Sequence, residues 1–227
     1  MADRVVIAGA GGFGRGVLAW LAGSPLHRTR HDIDDVVFID DGTPAVAPDA
    51  PVVGTIADYA PRPQDVVICA IGVPEVRRRV VESLAARGAT FHTFVDDRAV
   101  VAPDVDLGVG AVVCPGVVVS ANARIGAHVH VNFNCSVGHD ATIGALSTLS
   151  PSVDVMGEVR IGEAVFLGGS AVVLPRLTIG PTATIGAGAV VVRDVPAGRT
   201  VVGNPAHEIA PRPGPGLPRP TAQDVSA

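Results

Sequence analysis

The sequence predicts a small α/β unit followed by a parallel β-helix built from six-residue repeats. Two observations carry this prediction: a glycine-rich turn near the amino end, and an aliphatic residue at every sixth position from Val95 to Val191. A content of 48% hydrophobic but only 4% aromatic residues agrees, because it leaves aliphatic side chains to form the core. We expect the α/β unit at residues 1–92, the β-helix at 93–209 and a disordered proline-rich tail at 210–227.

The α/β unit begins with an apolar strand at residues 4–8. Gly9-Ala10-Gly11-Gly12-Phe13-Gly14 follows, which matches G-x-G-x-x-G, and a helix then extends to about Leu21. Backbone N–H groups at the start of such a helix bind phosphate. The motif alone is compatible with a dinucleotide, with another phosphate-bearing ligand, or with a tight turn that binds nothing.

The rest of this unit is Rossmann-like, but it has only about half the length of a full dinucleotide-binding fold. Asp40-Asp41 ends the second predicted strand, where an acidic side chain is placed to hydrogen-bond a ribose or a base. The remaining elements are predicted as strands at 36–39, 66–71 and 90–94 and a helix at 74–87, with proline in its first turn.

Two superposed periods define the repeat. Seventeen consecutive positions six residues apart are aliphatic, a period that neither a helix nor an ordinary hairpin strand has. Every eighteen residues the aliphatic residue is followed by glycine, so three hexapeptides form one triangular coil and about five coils share a core. No step is broken, so we expect no inserted loop. The glycines are Gly108, Gly126, Gly144, Gly162 and Gly180.

Composition and charge exclude several classes of protein. The net charge is −5, and the basic residues, all arginine, form no cluster beyond residues 77–79, which argues against a nucleic-acid partner. No run of about 18 apolar residues could span a membrane, and the first residues lack the layout of a secretory signal, so we expect a cytoplasmic protein. Cys69, Cys114 and Cys135 have no metal-ligand spacing, and we expect reduced thiols and no metal.

Five segments together carry a resemblance to a known family: residues 9–15, Asp40-Asp41, residues 70–72, residues 132–140 (Asn-Phe-Asn-Cys-Ser-Val-Gly-His-Asp) and residues 202–206 (Val-Gly-Asn-Pro-Ala). They resemble the bacterial sugar O-/N-acyltransferases, which include sialic acid O-acetyltransferases and UDP-4-amino-sugar N-acetyltransferases. The resemblance covers about residues 4–209. It implies a left-handed β-helix, a homotrimer, acetyl-CoA as donor and active sites between subunits.

His139 is the candidate general base among seven histidines. It follows the inward-facing Val137 by two residues, which places it at a corner, and the residues eighteen positions away, Ala121 and Gly157, are small. Histidine suits proton removal from an acceptor amine or hydroxyl at neutral pH. The resemblance places the family's active-site histidine at His139 and its acidic partner at Asp140; the alternative is an exposed surface histidine.

The resemblance also assigns the binding residues. Asn132 matches a residue that positions the acceptor, although it could equally cap corner amides, and Thr148 stands where many family members carry a second histidine. His128 and His130 are expected at the surface or at an interface. The CoA donor would meet Thr148, Gly157, Gly169 and Ala187, and the acceptor's nucleotide would meet Gly11, Gly12, Phe13, Asp40, Asp41 and Gly72.

These expectations favour an enzyme that acylates a nucleotide-linked amino sugar with acetyl-CoA. O-acylation of a sialic-acid-like sugar or another small alcohol is a second enzymatic interpretation. A non-catalytic protein that binds nucleotide sugars is a third, and the pair of His139 and Asp140 argues against it. An NAD-dependent oxidoreductase is disfavoured because a β-helix would have no role in hydride transfer.

Overall fold

A computed structural model describes residues 3–210, which divide between His92 and Thr93 into two compact units. The first is an α/β unit at residues 3–92, and the second is a left-handed parallel β-helix at residues 93–210. The predicted fold class is therefore confirmed for both parts. The predicted disordered tail lies, apart from Ala210, outside the described residues.

Four parallel strands in the order β2-β1-β3-β4 form the sheet of the α/β unit. The apolar residues that alternate along β1 and β3 pack with Leu84 and Tyr59 into its core. At one end of the sheet the buried Asp65 accepts hydrogen bonds from Arg4, at 2.8 Å, and from the Tyr59 hydroxyl. The elements are β1 (Asp3–Ala8), α1 (Gly12–Ala22), α2 (Pro25–Arg30), β2 (Ile33–Ile39), β3 (Asp65–Cys69), α3 (Pro74–Ala86) and β4 (Thr90–Phe91).

Two features of this unit differ from the sequence prediction. Helix α2 was not predicted, because six residues are too few to show a helical period. The strand predicted at 90–94 is split: β4 pairs with β3, and the next strand, at Phe94–Val95, begins the β-helix. The break falls at His92 and Thr93, where the chain passes from one sheet to another.

Seventeen two-residue strands, three to a coil, form the β-helix without an inserted loop, as predicted. Strands eighteen residues apart pair in parallel, and the last strand adds an antiparallel edge. The strands are β5 (Phe94–Val95), β6 (Val100–Val101), β7 (Asp106–Leu107), β8 (Val112–Val113), β9 (Val118–Val119), β10 (Arg124–Ile125), β11 (His130–Val131), β12 (Ser136–Val137), β13 (Thr142–Ile143), β14 (Thr148–Leu149), β15 (Asp154–Val155), β16 (Arg160–Ile161), β17 (Phe166–Leu167), β18 (Val172–Val173), β19 (Thr178–Ile179), β20 (Thr184–Ile185), β21 (Val190–Val191), then β22 (Thr200–Val202) and β23 (His207–Glu208).

The predicted aliphatic column fills the centre of the coils. Its residues from Val113 to Val191 are buried, and Ile143 is only 1% exposed. Burial of each such side chain contributes about 1.5–3 kcal/mol. The first three members, Val95, Val101 and Leu107, are only partly buried, because the first coil of a stack has a neighbour on one side only.

The corners of the coils impose a second constraint on the backbone. From Gly110 to Gly188, every sixth residue lies at a corner and adopts a positive φ, and most of these residues are not glycine; Asp140, for example, has φ 59°. The glycines that follow the inward residues relieve crowding, as predicted. A Cβ on Gly126 would lie 2.6 Å from the backbone nitrogen of Ala145, a distance that real Cβ atoms do not reach.

Each of the three cysteines is a buried free thiol. Burial raises the pKa of the Cys69 and Cys135 thiols to about 12, so neither forms a reactive thiolate at neutral pH. Within residues 3–210, none of the helices has the length and apolarity needed to cross a bilayer.

Candidate active site

The pair of His139 and Asp140 lies at a corner of the β-helix, where the six-residue period places it. The His139 Nδ1 and Asp140 Oδ2 atoms are 2.7 Å apart, and the two side chains are 60% and 50% exposed. A carboxylate only accepts hydrogen bonds, so it selects the tautomer in which Nδ1 carries the proton. The Nε2 lone pair of His139 is therefore the one that can take a proton from a substrate.

Asp140 is itself held by the coil below. Its backbone N–H donates to the Ala121 carbonyl at 3.0 Å, and the Asn122 side-chain amide donates to Asp140 Oδ1 at 3.3 Å. The hydrogen bond from His139, followed by the one from Asn122, lowers the pKa of Asp140. The carboxylate therefore stays charged into acidic solution and stabilises a protonated imidazole.

Gly157 leaves the space that the imidazole of His139 occupies. A Cβ on Gly157 would lie 2.5 Å from His139 Nε2 and 2.8 Å from Cε1. The small residue that the sequence predicted one coil above His139 therefore fits the ring of His139 itself. Because the contact is to Nε2, any side chain at position 157 would displace the nitrogen whose lone pair can accept a proton.

The candidate CoA residues are spread over different parts of the β-helix. Gly157 lies one coil from His139 and shares its corner row. Gly169 and Ala187 lie one coil apart in the neighbouring corner row, where the same backbone hydrogen bonds recur from coil to coil. Thr148 is 4% exposed and pairs with His130 and Phe166 in register. One chain thus does not bring Gly169 and Ala187 to His139; the six-stranded sheet of β6, β9, β12, β15, β18 and β21 lies between the two corner rows.

Asn132 makes the hydrogen bond expected of a residue that caps a corner amide. Its Oδ1 atom accepts from the backbone N–H of Phe133 at 2.9 Å, at the corner that leads into the row of Gly169. A role in holding this corner is therefore visible in the single chain. A contact between its amide and the acceptor remains a prediction.

The two histidines expected at the surface or at an interface are buried. His128 is 8% and His130 is 0% exposed, so the expectation of surface residues is wrong for the single chain. His128 occupies the space above Gly110, where a Cβ would lie 2.3 Å from His128 Nδ1. The glycine one coil away thus admits the histidine ring, as Gly157 does for His139.

In the α/β unit, the backbone of the glycine turn requires glycine at two of its positions. Gly9 has φ +103°, and a Cβ on Gly14 would lie 1.9 Å from the Gly9 carbonyl oxygen, so both positions require glycine. Gly11 is the N-cap of α1, and a Cβ on Gly12 would meet nothing within 4 Å. The helix start is therefore open at Gly12, where N–H groups could meet a phosphate.

Phe13 and Arg15 flank this turn. The Phe13 ring packs edge-on against Trp20, with ring centroids 6.0 Å apart, so part of its surface is used within α1. Arg15 donates from Nη1 to the Ala10 carbonyl at 3.1 Å, which holds a guanidinium beside the turn. Sequence analysis assigned no role to Arg15; its place in the first turn of the helix was the available signal.

Asp40 and Asp41 differ sharply in what they contact. Asp40 is 3% exposed, and its two oxygens accept from the N–H groups of Ala10, at 2.6 Å, and Gly42, at 2.7 Å. It therefore fixes the glycine turn from inside. Asp41 is exposed, and its Oδ1 accepts from the Ala57 N–H at 3.0 Å. Of the two, Asp41 has the accessible carboxylate for a ribose or a base.

Gly72 lies on the same carboxyl edge of the sheet as the glycine turn and the two aspartates. The buried guanidinium of Arg77 donates from Nη1 to the Ile71 carbonyl at 2.6 Å and to the Gly72 carbonyl at 3.2 Å. Burial lowers the pKa of Arg77 to about 10, which leaves it charged at neutral pH. The predicted nucleotide-contacting residues are thus assembled at one edge.

The Val-Gly-Asn-Pro-Ala segment forms the wall of a cavity at the carboxyl end of the β-helix. Its Asn204–Pro205 bond is cis. The cavity has a volume of about 550 Å³ and is lined by residues that include Arg193, Asp194, Asn204, Pro205 and His207. His139 is not part of this lining.

Comparisons with known proteins agree with the two-unit architecture. The family model described as the PglD N-terminal domain matches residues 4–84. Among solved structures, the acetyltransferase domain of PglB from Neisseria gonorrhoeae FA1090 is 33% identical with a TM-score of 0.84, over 91% of this chain and 100% of that chain. The same domain has been solved with acetyl coenzyme A, with 92% of this chain and 100% of that chain covered.

Two further structures are similar over the same extent. WeeI from Acinetobacter baumannii AYE is 30% identical with a TM-score of 0.82, over 92% of this chain and 100% of that chain. PerB from Caulobacter crescentus, solved with CoA and GDP-perosamine, is 32% identical with a TM-score of 0.81, over 92% of this chain and 99% of that chain. No curated protein sequence matches the chain significantly.

Proposed function

This chain belongs to the bacterial sugar O-/N-acyltransferase family, and we propose that it transfers an acetyl group from acetyl-CoA to an amino group of a nucleotide-linked sugar. The observation that carries the proposal is the hydrogen-bonded pair of His139 and Asp140, exposed at a corner of the β-helix. The similar proteins solved with acetyl coenzyme A and with CoA and GDP-perosamine support the choice of donor and acceptor.

The chemistry needs one base. As the acceptor nitrogen attacks the thioester carbonyl carbon, its proton passes to Nε2 of His139, and the C–S bond then breaks to release CoA. Asp140 stabilises the imidazolium that forms and keeps Nδ1 protonated throughout. The proton on Nε2 can then leave to the departing thiolate sulfur, which restores the neutral imidazole.

A homotrimer would complete the site. The six-stranded sheet lies between the corner row of His139 and that of Gly169 and Ala187. Its outward residues include Val100 and Val118, which are 63% and 48% exposed, together with Ser136 and the exposed Asp154. Packing three copies through this face would set the His139 corner of one copy beside the Gly169 corner of the next. The donor's pantetheine arm would then lie between two copies, with Gly157 contributing further, whereas Thr148, at 4% exposed, offers the arm almost no surface in the single chain.

The acceptor's nucleotide is proposed to bind the carboxyl edge of the α/β sheet. The open helix start at Gly12, the guanidinium of Arg15 and the exposed carboxylate of Asp41 offer a phosphate, and a ribose or base, the groups that each needs. Gly11, Phe13 and Gly72 form the surrounding surface. A cytoplasmic location belongs to the same proposal, because CoA thioesters and reduced thiols are found there.

A thiol-release assay tests the reaction. Acetyl-CoA is offered with UDP-, dTDP- and GDP-linked amino sugars, with a sialic-acid-like sugar and with NADH as a competitor. We expect release of CoA with at least one amino sugar and no inhibition by NADH. Turnover of the sialic-acid-like sugar alone would establish O-acetylation instead. Tight NADH binding without turnover of any acceptor would refute the proposal.

The variant His139→Ala tests the base. We expect kcat to fall about 10²- to 10⁴-fold, and Asp140→Asn to lower it less, because the imidazole remains. Since the hydrogen bond from His139 lowers the pKa of Asp140, this carboxylate should stay charged, and keep its stabilising role, into acidic solution. His207→Ala, an exposed histidine in β23, is the control. Near-normal kcat for His139→Ala at neutral pH would mean that holding the amine close suffices.

A further inference from the structure

Three histidines of the α/β unit meet at a place that the proposed acyl transfer does not use. His27 lies in α2, His31 directly follows that helix, and His92 directly follows β4. One ring nitrogen of each lies within 4.8 Å of the other two. The four-residue spacing of His27 and His31 puts them on one side of the helix, and the fold brings in His92 from 61 residues further along the chain.

We infer that His27, His31 and His92 form a binding site for a divalent transition-metal ion, with Zn²⁺ as the ion that this ligand set suits best. Three imidazoles and one water are a standard tetrahedral set for zinc, and imidazole is a good ligand for this class of metal. The site goes beyond the proposed acyl transfer and does not depend on it.

The distances fit such an ion after a small movement. In a tetrahedral site with Zn–N bonds of about 2.0–2.1 Å, two ligand nitrogens lie about 3.3 Å apart. The Nε2 atoms of His27 and His92 are 2.8 Å apart. An ion would therefore need to separate these two rings by about half an ångström, and to draw the exposed His31 ring closer, by up to about 1.5 Å, from within 4.8 Å. It would also displace the proton between the two Nε2 atoms to another ring nitrogen or to solvent.

The surroundings of His92 favour its neutral imidazole, the form that binds metal. Burial, and then the nearby His27 and His31, lower the pKa of His92 to about 4, so His92 is neutral at neutral pH. His27 and His92 are 5% and 8% exposed, whereas His31 is exposed. The buried pair holds its geometry, and the exposed ligand gives an ion and a water molecule access from solvent.

The position of the cluster indicates a structural role. β4 pairs with the first half of β3, through Val66 and Val67, and His31 precedes the start of β2. His27 and His31 precede the start of β2, whereas His92 follows the carboxyl end of β4, where its N–H donates to the Val67 carbonyl. An ion there would tie α2 to the end of β4, and none of the three histidines is among the residues proposed for the nucleotide.

The experiment measures zinc binding by the full-length chain, prepared without a histidine tag. We expect about one Zn²⁺ per chain with Kd below about 1 μM, and visible d–d absorption bands of tetrahedral Co²⁺ when cobalt replaces zinc. Zinc should raise the Tm reported by Trp20 fluorescence by at least about 3 °C, and a chelator should reverse the rise.

His31→Ala is the main variant, because His31 is exposed and its loss should leave the fold intact. We expect its zinc affinity to fall at least about 100-fold, since even outer partners of metal ligands cost 10- to 100-fold. His207→Ala should bind zinc as the wild type does. Equal zinc binding by His31→Ala and the wild type, or no stoichiometric binding by the wild type, would overturn the site. In that case the three rings form a hydrogen-bonded cluster only, and zinc would leave the Tm unchanged. Should His31→Ala unfold, His92→Gln serves with the same readouts.

Discussion

The β-helix and the α/β unit of this chain are specified in different ways. In the β-helix, the same environment recurs every six residues, and fourteen consecutive members of the aliphatic column are buried. In the α/β unit, single residues hold particular places: Asp65 joins Arg4 and Tyr59, Asp40 holds the glycine turn, and Arg77 holds the loop at Gly72. Redundancy specifies one unit and individual polar contacts specify the other.

The difference teaches where chemistry can be placed in each unit. A repeat that fixes its inward positions leaves its corners free to vary, and the His139 corner differs from its neighbours only in its side chains. Asp140 adopts the same left-handed backbone as Asn122 and Glu158, one coil below and above. The α/β unit instead uses its strand ends, where each loop is held by its own contact. Substitutions in the two units should therefore have different effects on stability and activity.

The largest effect should come from a charge in the aliphatic column. Ile143→Asp would bury a carboxylate at a position that is 1% exposed, and an unpaired buried charge costs about 3–5 kcal/mol, much of the stability of an ordinary domain. We expect loss of the β-sheet signal in far-UV circular dichroism. Trp20, the only tryptophan of the chain, lies in α1 and reports separately on the α/β unit.

Thr142→Asp is the matched control, because Thr142 is the exposed neighbour in the same strand. It should unfold within about 0.5 kcal/mol of the wild type, as surface substitutions do. If Ile143→Asp abolished the Trp20 transition as well, the two units would fold as one, and the contrast between them would be wrong for stability. If Ile143→Asp kept the wild-type unfolding curve, the inward column would be refuted.

A smaller, local effect should follow from adding a methyl group at Gly157, next to the imidazole of His139. Gly157→Ala would place a methyl group 2.5 Å from His139 Nε2, and the exposed ring can swing away at little cost to the fold. We expect kcat to fall about 10- to 100-fold, because a displacement of about 1 Å is enough for such a loss, with the Tm nearly unchanged. Steady-state kinetics with varied acetyl-CoA check this.

The kinetic constants separate two roles of Gly157. Displacement of the base lowers kcat, whereas a lost CoA contact raises the KM for acetyl-CoA and spares kcat. Gly54→Ala is the control, because a Cβ there would meet nothing within 4 Å. An unchanged kcat with a raised KM would assign Gly157 to the donor alone and would weaken the case for His139 as the base.

The sequence predicted the β-helix nearly residue by residue, and the reason is the redundancy of the repeat. Each inward position is supported by sixteen others, so one period decides all of them. It did not predict end effects, such as the partial exposure of Val95 and Leu107, or the burial of His128 and His130. The position of His139 at a corner was predictable for the same reason. The same eighteen-residue offset identifies Asn122 as the neighbour of Asp140 in the coil below.

The α/β unit was predicted in outline, and its detail depended on contacts between distant residues. No period shows that Asp40 turns inward to the Ala10 N–H, thirty residues earlier, while Asp41 stays exposed. Helix α2 was too short to be seen, and the cluster that joins it to His92 arises only when β4 has docked on β3. The absence of metal-ligand spacing among the cysteines said nothing about histidines brought together by the fold.

The smallest effect expected distinguishes the two aspartates of the nucleotide edge. Asp41→Asn removes the exposed charge, and we expect the KM for the nucleotide sugar to rise about 3- to 10-fold with the KM for acetyl-CoA unchanged.

Asp40→Asn should lower the stability of the α/β unit before it affects binding. Its amide can accept only one of the N–H groups of Ala10 and Gly42, and its NH₂ group would oppose the other. A buried N–H left unsatisfied costs about 1–3 kcal/mol, which the Trp20 unfolding transition would register. If instead Asp41→Asn bound the sugar normally and Asp40→Asn raised KM without loss of stability, the buried carboxylate would be the ligand contact, and the inward role of Asp40 would be refuted.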